Sequence, residues 1–314
     1  MGGGRDASGA LIYRRVNGVY VRRDGKPINR NKTDKQHEKF IKEYVEKARK
    51  TSQLLGVEFD FDEKKAIENA ERAWKRKQGT LTFSEKIDDA TTEDLLLNVL
   101  REKYPNVKED FVKNKDINSI KKIVKTIDAL EERYPFMRGF ITTLGVKNKG
   151  AANIDWSGTE FNISSEYLAR SNAKEINGLN QKERGWFPPN YTIESVAAHE
   201  FGHALHIKYF YKLLIEAGNI QDENKRNRTI SRLMTQQGTG TYLNGIERKV
   251  MKKIGAKTKQ DAWKQVSGYA SATKPGKVNV FEVIAESFGD VFTNGENASD
   301  ASKAYVEALL KELG

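Results

Sequence analysis

The residues best suited to chemistry lie in one short stretch, 199–206, whose sequence is HEFGHALH. The chain has four histidines, and His199, His203 and His206 are three of them. On a helix, residues four apart share a face, so the imidazoles of His199 and His203 can bind one metal ion together. The carboxylate of Glu200 then faces water on that ion and can act as a general base. The spacing predicts the site of a metal-dependent hydrolase.

The residues around this motif predict the helix that carries it. They are small or apolar and uncharged, which favours a buried helix over residues 193–216, with Thr192 as its N-cap. His206 lies about 10 Å along the helix axis from His199, too far to share a tetrahedral ion with it. We therefore expect His206 to support His203 from outside the metal site.

A catalytic zinc ion usually has three protein ligands and one open position, so another element must supply the third ligand. Residues 279–290 carry an apolar helical stripe that is typical of a buried helix. Glu282 and Glu286 lie one turn apart on this helix. The residues by themselves leave both carboxylates as candidates for the third ligand.

The elements around the motif are predicted to be mainly helical. Before residue 165 the helical pattern gives way to alternating β-branched and aromatic residues, and this alternation predicts a few short strands. The polar stretch 218–228 is predicted to be a loop or insertion. The predicted helices cover 34–56, 62–77 and 117–133, with another that begins after the cap Thr92, and the predicted strands cover 140–146, 151–156 and 159–164.

Composition excludes several classes of protein. The chain has no cysteine, which excludes disulfides, thiolate metal sites and a cysteine nucleophile. It has no apolar run of about 18 residues, the length that a membrane-spanning helix needs. Its first residues lack the apolar stretch of a signal peptide. We expect no membrane association.

Positive charge is concentrated near the N-terminus. Residues 1–50 contain 14 lysines and arginines against 6 acidic residues, so they carry +8 of the net +11. Asn17-Gly18 between apolar residues predicts a β-hairpin over residues 11–23, and 25–33 is predicted to be a linker. This basic arm is either a solvated tail or a segment that binds nucleic acid or another acidic partner.

Several segments together resemble a known family. The sequence is similar to the gluzincin metallopeptidases of anthrax lethal factor type, and most to the related zincin domains of phage head-associated proteins and bacterial toxins. The matching segments are 199–205 (HEFGHAL), 267–270 (SGYA), Asn279, 282–288 (EVIAESF), 161–163 (FNI) and 185–188 (GWFP). The resemblance covers residues 90–314. It implies an α+β, zincin-like fold: a small mixed sheet and an active-site helix, followed by a mainly helical C-terminal subdomain.

The resemblance also implies the metal centre. By position, His199, His203 and Glu282 bind Zn²⁺, and Glu200 is the general base. Tyr269 is the residue that donates its hydroxyl to the oxyanion of the tetrahedral intermediate, an interaction that the chemistry requires from some donor.

The resemblance places Glu286 as the acceptor of a hydrogen bond from a ligand histidine.

The sequence departs from the family pattern at two points, His206 and the spacing between Tyr269 and Glu282. Relatives usually have Asp at the position of His206. The family tyrosine precedes the ligand glutamate by seven residues, whereas Tyr269 precedes Glu282 by 13. Tyr242 is therefore a second candidate for the oxyanion donor.

In zincins, an edge strand beside the active-site helix pairs with the substrate backbone. By resemblance, the strand 159–164 is the candidate for this role, with Phe161, Asn162 and Ile163 as the residues that meet the substrate. The alternative is that 159–164 is an ordinary internal strand.

These observations lead to one predicted organisation: a basic arm (1–33), a helical segment (34–80) and a zincin-like metallopeptidase domain (81–314). The predicted function is that of a zinc endopeptidase that hydrolyses peptide bonds with metal-activated water. Resemblance to phage proteins predicts location in a virion or a bacterial host cytoplasm, with phage head proteins as partners beside the protein or peptide substrate. The alternatives are a virion-associated structural or nucleic-acid-associated protein that keeps the zincin fold, and a regulatory peptidase that cleaves a repressor.

Overall fold

The chain divides into two compact units, residues 1–85 and residues 86–314. All of the predicted metal ligands lie in the second unit. The computed structural model describes residues 13–16, 19–22, 30–54, 62–147, 152–165, 167–169, 188–272 and 279–314.

The first unit contains a hairpin and two helices. Strands β1 (Tyr13–Val16) and β2 (Val19–Arg22) pair antiparallel with Val16 opposite Val19, which confirms the predicted hairpin. Helices α1 (Arg30–Leu54) and α2 (Glu63–Gln78) pack together through a small apolar cluster. The predicted linker 25–33 is wrong from residue 30 onward, because no glycine or proline after Pro27 stops the helix from starting there.

From residue 83 onward the chain is mostly helical. Among the described residues, no helix combines the length and the apolar character needed to cross a membrane. The helices are α3 (Phe83–Asp89), α4 (Glu93–Lys103), α5 (Ile117–Arg133), α6 (Ile193–Gly218), α7 (Glu223–Thr239), α8 (Asn244–Ile254), α9 (Lys259–Lys264), α10 (Gly268–Ser271), α11 (Asn279–Asn294) and α12 (Asp300–Leu313).

A three-stranded mixed sheet precedes α6. Its strands are β3 (Thr143–Lys147), β4 (Ala152–Ile154) and β5 (Glu160–Ser164), in the order β3-β5-β4. β5 pairs parallel with β3 and antiparallel with β4. The described residues are mostly helical with one small three-stranded sheet in the second unit, which is compatible with the predicted α+β class.

The helix predictions succeed where caps and apolar periodicity are both present. Thr92 caps α4 by accepting a hydrogen bond from the N–H of Leu95, and α5 begins and ends at the predicted residues. The predicted loop 218–228 is wrong, since α7 starts within it behind the cap Asp222. α7 buries only Leu233, so its sequence lacks the apolar period that reveals a helix.

In the second unit, α6 packs closely against α11. A Cβ atom on Gly202 of α6 would lie 2.9 Å from the Cα of Ala285 and 2.9 Å from the Cβ of Phe288, both on α11. Phe201 and Phe288 extend this contact, with ring centroids 5.7 Å apart. Glycine at 202 therefore allows the two helices to approach at the level of the histidine motif.

We predict that Gly202→Ala destabilises the protein by about 1–3 kcal/mol, because the new methyl group overlaps the α11 backbone. Urea unfolding measures this change. Gly245→Ala is the matched control, since a Cβ on this α8 residue meets nothing within 4 Å. The control should be neutral or slightly stabilising. A Gly202→Ala protein as stable as the wild type would contradict the close packing of α6 on α11.

Candidate metal centre

The helix α6 is fixed at its start by a reciprocal cap. The Thr192 side chain accepts a hydrogen bond from the N–H of Ser195, and the Ser195 hydroxyl accepts one from the N–H of Thr192. The same Ser195 hydroxyl lies 2.7 Å from the hydroxyl of Thr293 near the end of α11. The predicted cap is confirmed, and it also joins the two helices that carry the site.

His199 and His203 lie on the face of α6 that meets α11. Their ring centroids are 4.9 Å apart. Glu282, in the first turn of α11, places Oε2 at 3.6 Å from Nε2 of His199 and at 3.7 Å from Nε2 of His203. The structure thus brings the three predicted ligands together, and each offers an atom within 4.8 Å of the others.

These distances fit a metal ion. Two donor atoms that are each about 2.1 Å from a tetrahedral ion lie about 3.4 Å apart. The two Glu282–histidine distances exceed this value by only a few tenths of an ångström. The donor set is two imidazole nitrogens and one carboxylate oxygen. The group formed by His199, His203 and Glu282 could therefore hold a single ion with small side-chain adjustments.

Glu286 contacts the opposite nitrogen of His199. Its Oε1 lies 2.8 Å from Nδ1 of His199, and its side chain is completely buried. An imidazole that binds a metal through Nε2 carries its proton on Nδ1, and a carboxylate this close to Nδ1 favours that tautomer. The structure places Glu286 in the position expected from the resemblance.

The acidic surroundings change the pKa of two of the ligands. Burial alone would lower the pKa of His199, but the carboxylates of Glu282 and Glu286 outweigh burial and raise it to about 10. Burial alone would raise the pKa of Glu282, but the hydrogen bonds from His199 and His203 outweigh it and hold that pKa well below its usual range. The pocket therefore strongly favours positive charge.

His206 and Tyr242 form a chain of contacts that starts at Nδ1 of His203. Nδ1 of His203 lies 3.2 Å from Nε2 of His206, and Nδ1 of His206 lies 2.8 Å from the hydroxyl of Tyr242. The hydroxyl of Tyr242 donates in turn to the backbone carbonyl of His206, at 3.3 Å. Phe281 stacks on the His206 ring at 4.5 Å between centroids. His206 thus lies outside the group of three donors, as expected.

The directions of these hydrogen bonds agree with one protonation state. If Nε2 of His203 held a metal, its Nδ1–H would donate to His206, whose own proton would then sit on Nδ1 and point at Tyr242. Burial lowers the pKa of His206 well below its usual value, which keeps the ring neutral as this chain of donors requires. The candidate role of Tyr242 as oxyanion donor is wrong, because its hydroxyl is engaged with His206.

Glu200 is the only acid in the histidine motif, and it is not one of the three donors. Its side chain is 4% exposed and lines the same cleft as the three donor residues. Its Oε2 atom is buried and has no hydrogen-bond partner among the residues that the structure describes. A buried carboxylate oxygen without a partner is costly, and such atoms are often kept for catalysis.

Tyr269 also reaches the cleft. It lies on the short helix α10, with its ring centroid 6.4 Å from that of His199. The side-chain amide of Asn279, the first residue of α11, donates to the carbonyl of Ala272 at 3.2 Å. This bond holds the end of α10 against α11. Residues 273–278, between Tyr269 and Glu282, lie outside the described residues.

The cleft has a volume of about 620 Å³. Its lining includes Ala152, Asn153 and Ile154 of β4, and Gly238 near the end of α7. Gly238 therefore makes α7 part of the wall of the cleft.

The predicted substrate strand 159–164 is wrong. β5 is the central strand of the sheet and is hydrogen-bonded on both sides, and Phe161 and Ile163 are fully buried. Asn162 pairs with Gly145 on one side and with Asn153 on the other. The strand that lines the cleft with all three of its residues is β4, while β3 contributes Lys147. In the part of the chain that the structure describes, no strand pairs with its outer edge. Both strands were visible in the sequence, but their order in the sheet was not.

No protein-family model, no curated protein and no solved structure matches the chain. The match to GWFP at 185–188 lies outside the described residues except for Pro188. The assignment of chemistry to this centre therefore depends on its own geometry.

We predict that Glu282→Ala weakens binding of a divalent metal by more than about 100-fold, because a ligand is lost. Glu286→Gln should weaken binding less, about 10- to 100-fold, since it removes only the contact behind His199. Metal content after dialysis and competition with a chelator measure both effects. Glu194→Ala, at an α6 acid that pairs with Lys122 instead, is the control. Full metal content in Glu282→Ala would contradict the ligand assignment.

We predict that Tyr242→Phe lowers metal affinity about tenfold while the protein stays folded, because only the hydroxyl that orients His206 is removed. Chelator competition measures the affinity, and circular dichroism checks the fold. Tyr209→Phe is the control, as this ring packs on Tyr242 with centroids 6.3 Å apart. Unchanged affinity in Tyr242→Phe would show that the His206–Tyr242 contact does not support the metal site.

Proposed function

We propose that this chain is a zinc-dependent endopeptidase with a zincin-like fold. The observation that carries the proposal is the buried, unpartnered carboxylate oxygen of Glu200 beside the three donors His199, His203 and Glu282. Two histidines and one glutamate are the ligand set of one class of catalytic zinc peptidases. The resemblance to the gluzincins of anthrax lethal factor type supports the same assignment.

Zinc is the favoured metal for this donor set. Imidazole nitrogens suit zinc, and three protein ligands leave a fourth position open for chemistry. When bound, zinc polarises the carbonyl of the substrate and lowers the pKa of water at that position. The remaining steps belong to the side chains of the protein.

Glu200 is the proposed general base. Its free carboxylate oxygen accepts the proton of the attacking water and then delivers that proton to the amine that leaves. Tyr269, which lines the same cleft, donates its hydroxyl to the oxyanion that forms on the substrate carbonyl. Because water attacks directly, no covalent bond forms between the protein and the substrate.

The outer edge of β4 is the proposed binding site for the substrate backbone. A peptide in extended conformation can add to this edge as a further strand, with its scissile bond above α6. β4 is antiparallel to β5 and borders the cleft, so the added strand runs beside the donors. This arrangement takes an unfolded or extended segment of a protein rather than a small molecule.

We predict that Glu200→Gln keeps zinc but loses at least about 100-fold in the rate of casein cleavage, because the amide cannot accept the proton. Fluorescent casein measures the rate, and atomic absorption measures zinc. Glu216→Gln is the control, on the exposed face of the same helix beside Lys212. Undiminished cleavage by Glu200→Gln would overturn the role of Glu200. Cleavage that survives removal of zinc would overturn the zinc dependence.

A further inference from the structure

Outside the N-terminal segment, the excess positive charge of the chain is concentrated on the helix α7. Residues 51–314 carry a net charge of only +3. α7 alone has four basic residues against the single acid Glu223, so its own net charge is also +3. The other residues of 51–314 therefore balance one another in charge. The four basic residues of α7 are Lys225, Arg226, Arg228 and Arg232.

These basic side chains have no acidic partner. In the part of the chain that the structure describes, none of the four forms an ion pair with a carboxylate, and Arg226 and Arg228 donate only to backbone carbonyls. On the next helix, α8, Lys249 and Lys253 instead pair with acids of α12. The charge of α7 is therefore available to a ligand, whereas these two charges of α8 are used within the fold.

Three of the four residues form one exposed stripe. Lys225, Arg228 and Arg232 are spaced by three and four positions, so they share a face of the helix. All three are exposed, and α7 buries only Leu233. The stripe is thus a continuous positively charged surface in contact with solvent.

The stripe lies where it does not stabilise its own helix. The start of a helix carries a partial positive charge and favours acidic side chains, and its end favours basic ones. Lys225 is in the first turn of α7, and the last turn contains no basic residue. Because folding gains nothing from this placement, it favours a role in binding over a role in stability.

α7 leads from this stripe to the cleft. Gly238, near its end, lines the same cleft as the three donor residues. At 1.5 Å per residue, Arg232 lies about 9 Å and Lys225 about 20 Å from Gly238 along the helix axis. An extended peptide covers about 3.3 Å per residue, so about three to six of its residues span this distance. A substrate in the cleft can therefore reach the stripe with a segment several residues away from the cleaved bond.

We propose that the stripe formed by Lys225, Arg228 and Arg232 binds an acidic segment of the protein substrate, about three to six residues from the cleaved bond. This proposal rests on the proposed function and names a feature that the substrate must carry. Guanidinium groups bind carboxylates through paired hydrogen bonds, which suits aspartate and glutamate side chains. A stripe of three cations is small for a nucleic acid, since duplex-binding proteins often contact about six to ten phosphates.

The first test compares cleavage of matched peptides by the zinc-loaded full-length protein. A peptide that the protein cleaves within casein is synthesised with three glutamates, or with three glutamines, about four to six residues from the cleaved bond. The block is placed first on the amino side and then on the carboxyl side. We expect kcat/KM to be about 5- to 20-fold higher for the glutamate peptide on one of the two sides.

The double variant Arg228→Gln/Arg232→Gln should lose most of this preference while it cleaves the glutamine peptide within about twofold of the wild-type rate. The matched control is Arg248→Gln/Lys252→Gln, which removes two exposed positive charges from α8, outside the lining of the cleft. The control should keep the preference. Equal cleavage of glutamate and glutamine peptides on both sides, or an equal loss of preference in both double variants, would overturn the stripe and leave the peptidase proposal intact.

A binding measurement separates the two proposals. Two fluorescein-labelled alanine-based peptides, with three glutamates or three glutamines, are titrated with the zinc-loaded full-length protein, and fluorescence anisotropy is recorded. The N-terminal basic segment is the same in every variant. We expect the glutamate peptide to bind at least about fivefold more tightly to the wild type and the α8 control than to Arg228→Gln/Arg232→Gln. If this holds but no peptide is cleaved, the stripe stands and the peptidase proposal fails.

Two other outcomes of this titration would overturn the stripe as a site for acidic peptide. One is equal affinity of the glutamate peptide for the wild type and for Arg228→Gln/Arg232→Gln. The other comes from a labelled single-stranded DNA of 12 nucleotides, used as a third probe at the same salt concentration. If the DNA binds more tightly than the glutamate peptide and loses more affinity with the two arginines, the stripe is a nucleic-acid site.

Discussion

The candidate site depends on the close approach of α6 and α11. α6 supplies two imidazoles, and α11 supplies the carboxylate of Glu282, which lies 3.6 and 3.7 Å from them. The absence of a side chain at Gly202 allows this separation, since a Cβ there would overlap the α11 backbone. Ser195 and Thr293 join the same helices at another point. Two contacts thus fix the distance across which an ion would be bound.

Charge explains why this arrangement favours a cation. Glu200, Glu282 and Glu286 place three carboxylates around two imidazoles in a largely buried pocket, and the excess negative charge is costly without a positive partner. The carboxylates of Glu282 and Glu286 raise the pKa of His199 for the same reason. Glu286 on one side, and His206 with Tyr242 on the other, direct Nε2 of each histidine toward Glu282.

The sequence was informative where a single helix contains both the recognisable sequence pattern and the candidate site residues. The H-E-x-x-H spacing, the cap Thr192 and the apolar stripe of α11 all predicted features that the structure contains. Long-range pairing was not predictable: choosing β4 over 159–164 requires the strand order, which depends on contacts between distant residues. The role of Tyr242 depends on the fold, which places it next to His206 although the two residues are 36 positions apart in the sequence. The partner of the basic N-terminal segment stays a prediction.

The central claim is that one zinc ion is bound by His199, His203 and Glu282. Anomalous diffraction from zinc-loaded crystals, recorded above and below the zinc absorption edge, tests it most directly. The account predicts one strong anomalous peak per chain, about 2.1 Å from Nε2 of each histidine and from a carboxylate oxygen of Glu282. A peak at other residues, or no peak between α6 and α11 in crystals that contain zinc, would contradict it.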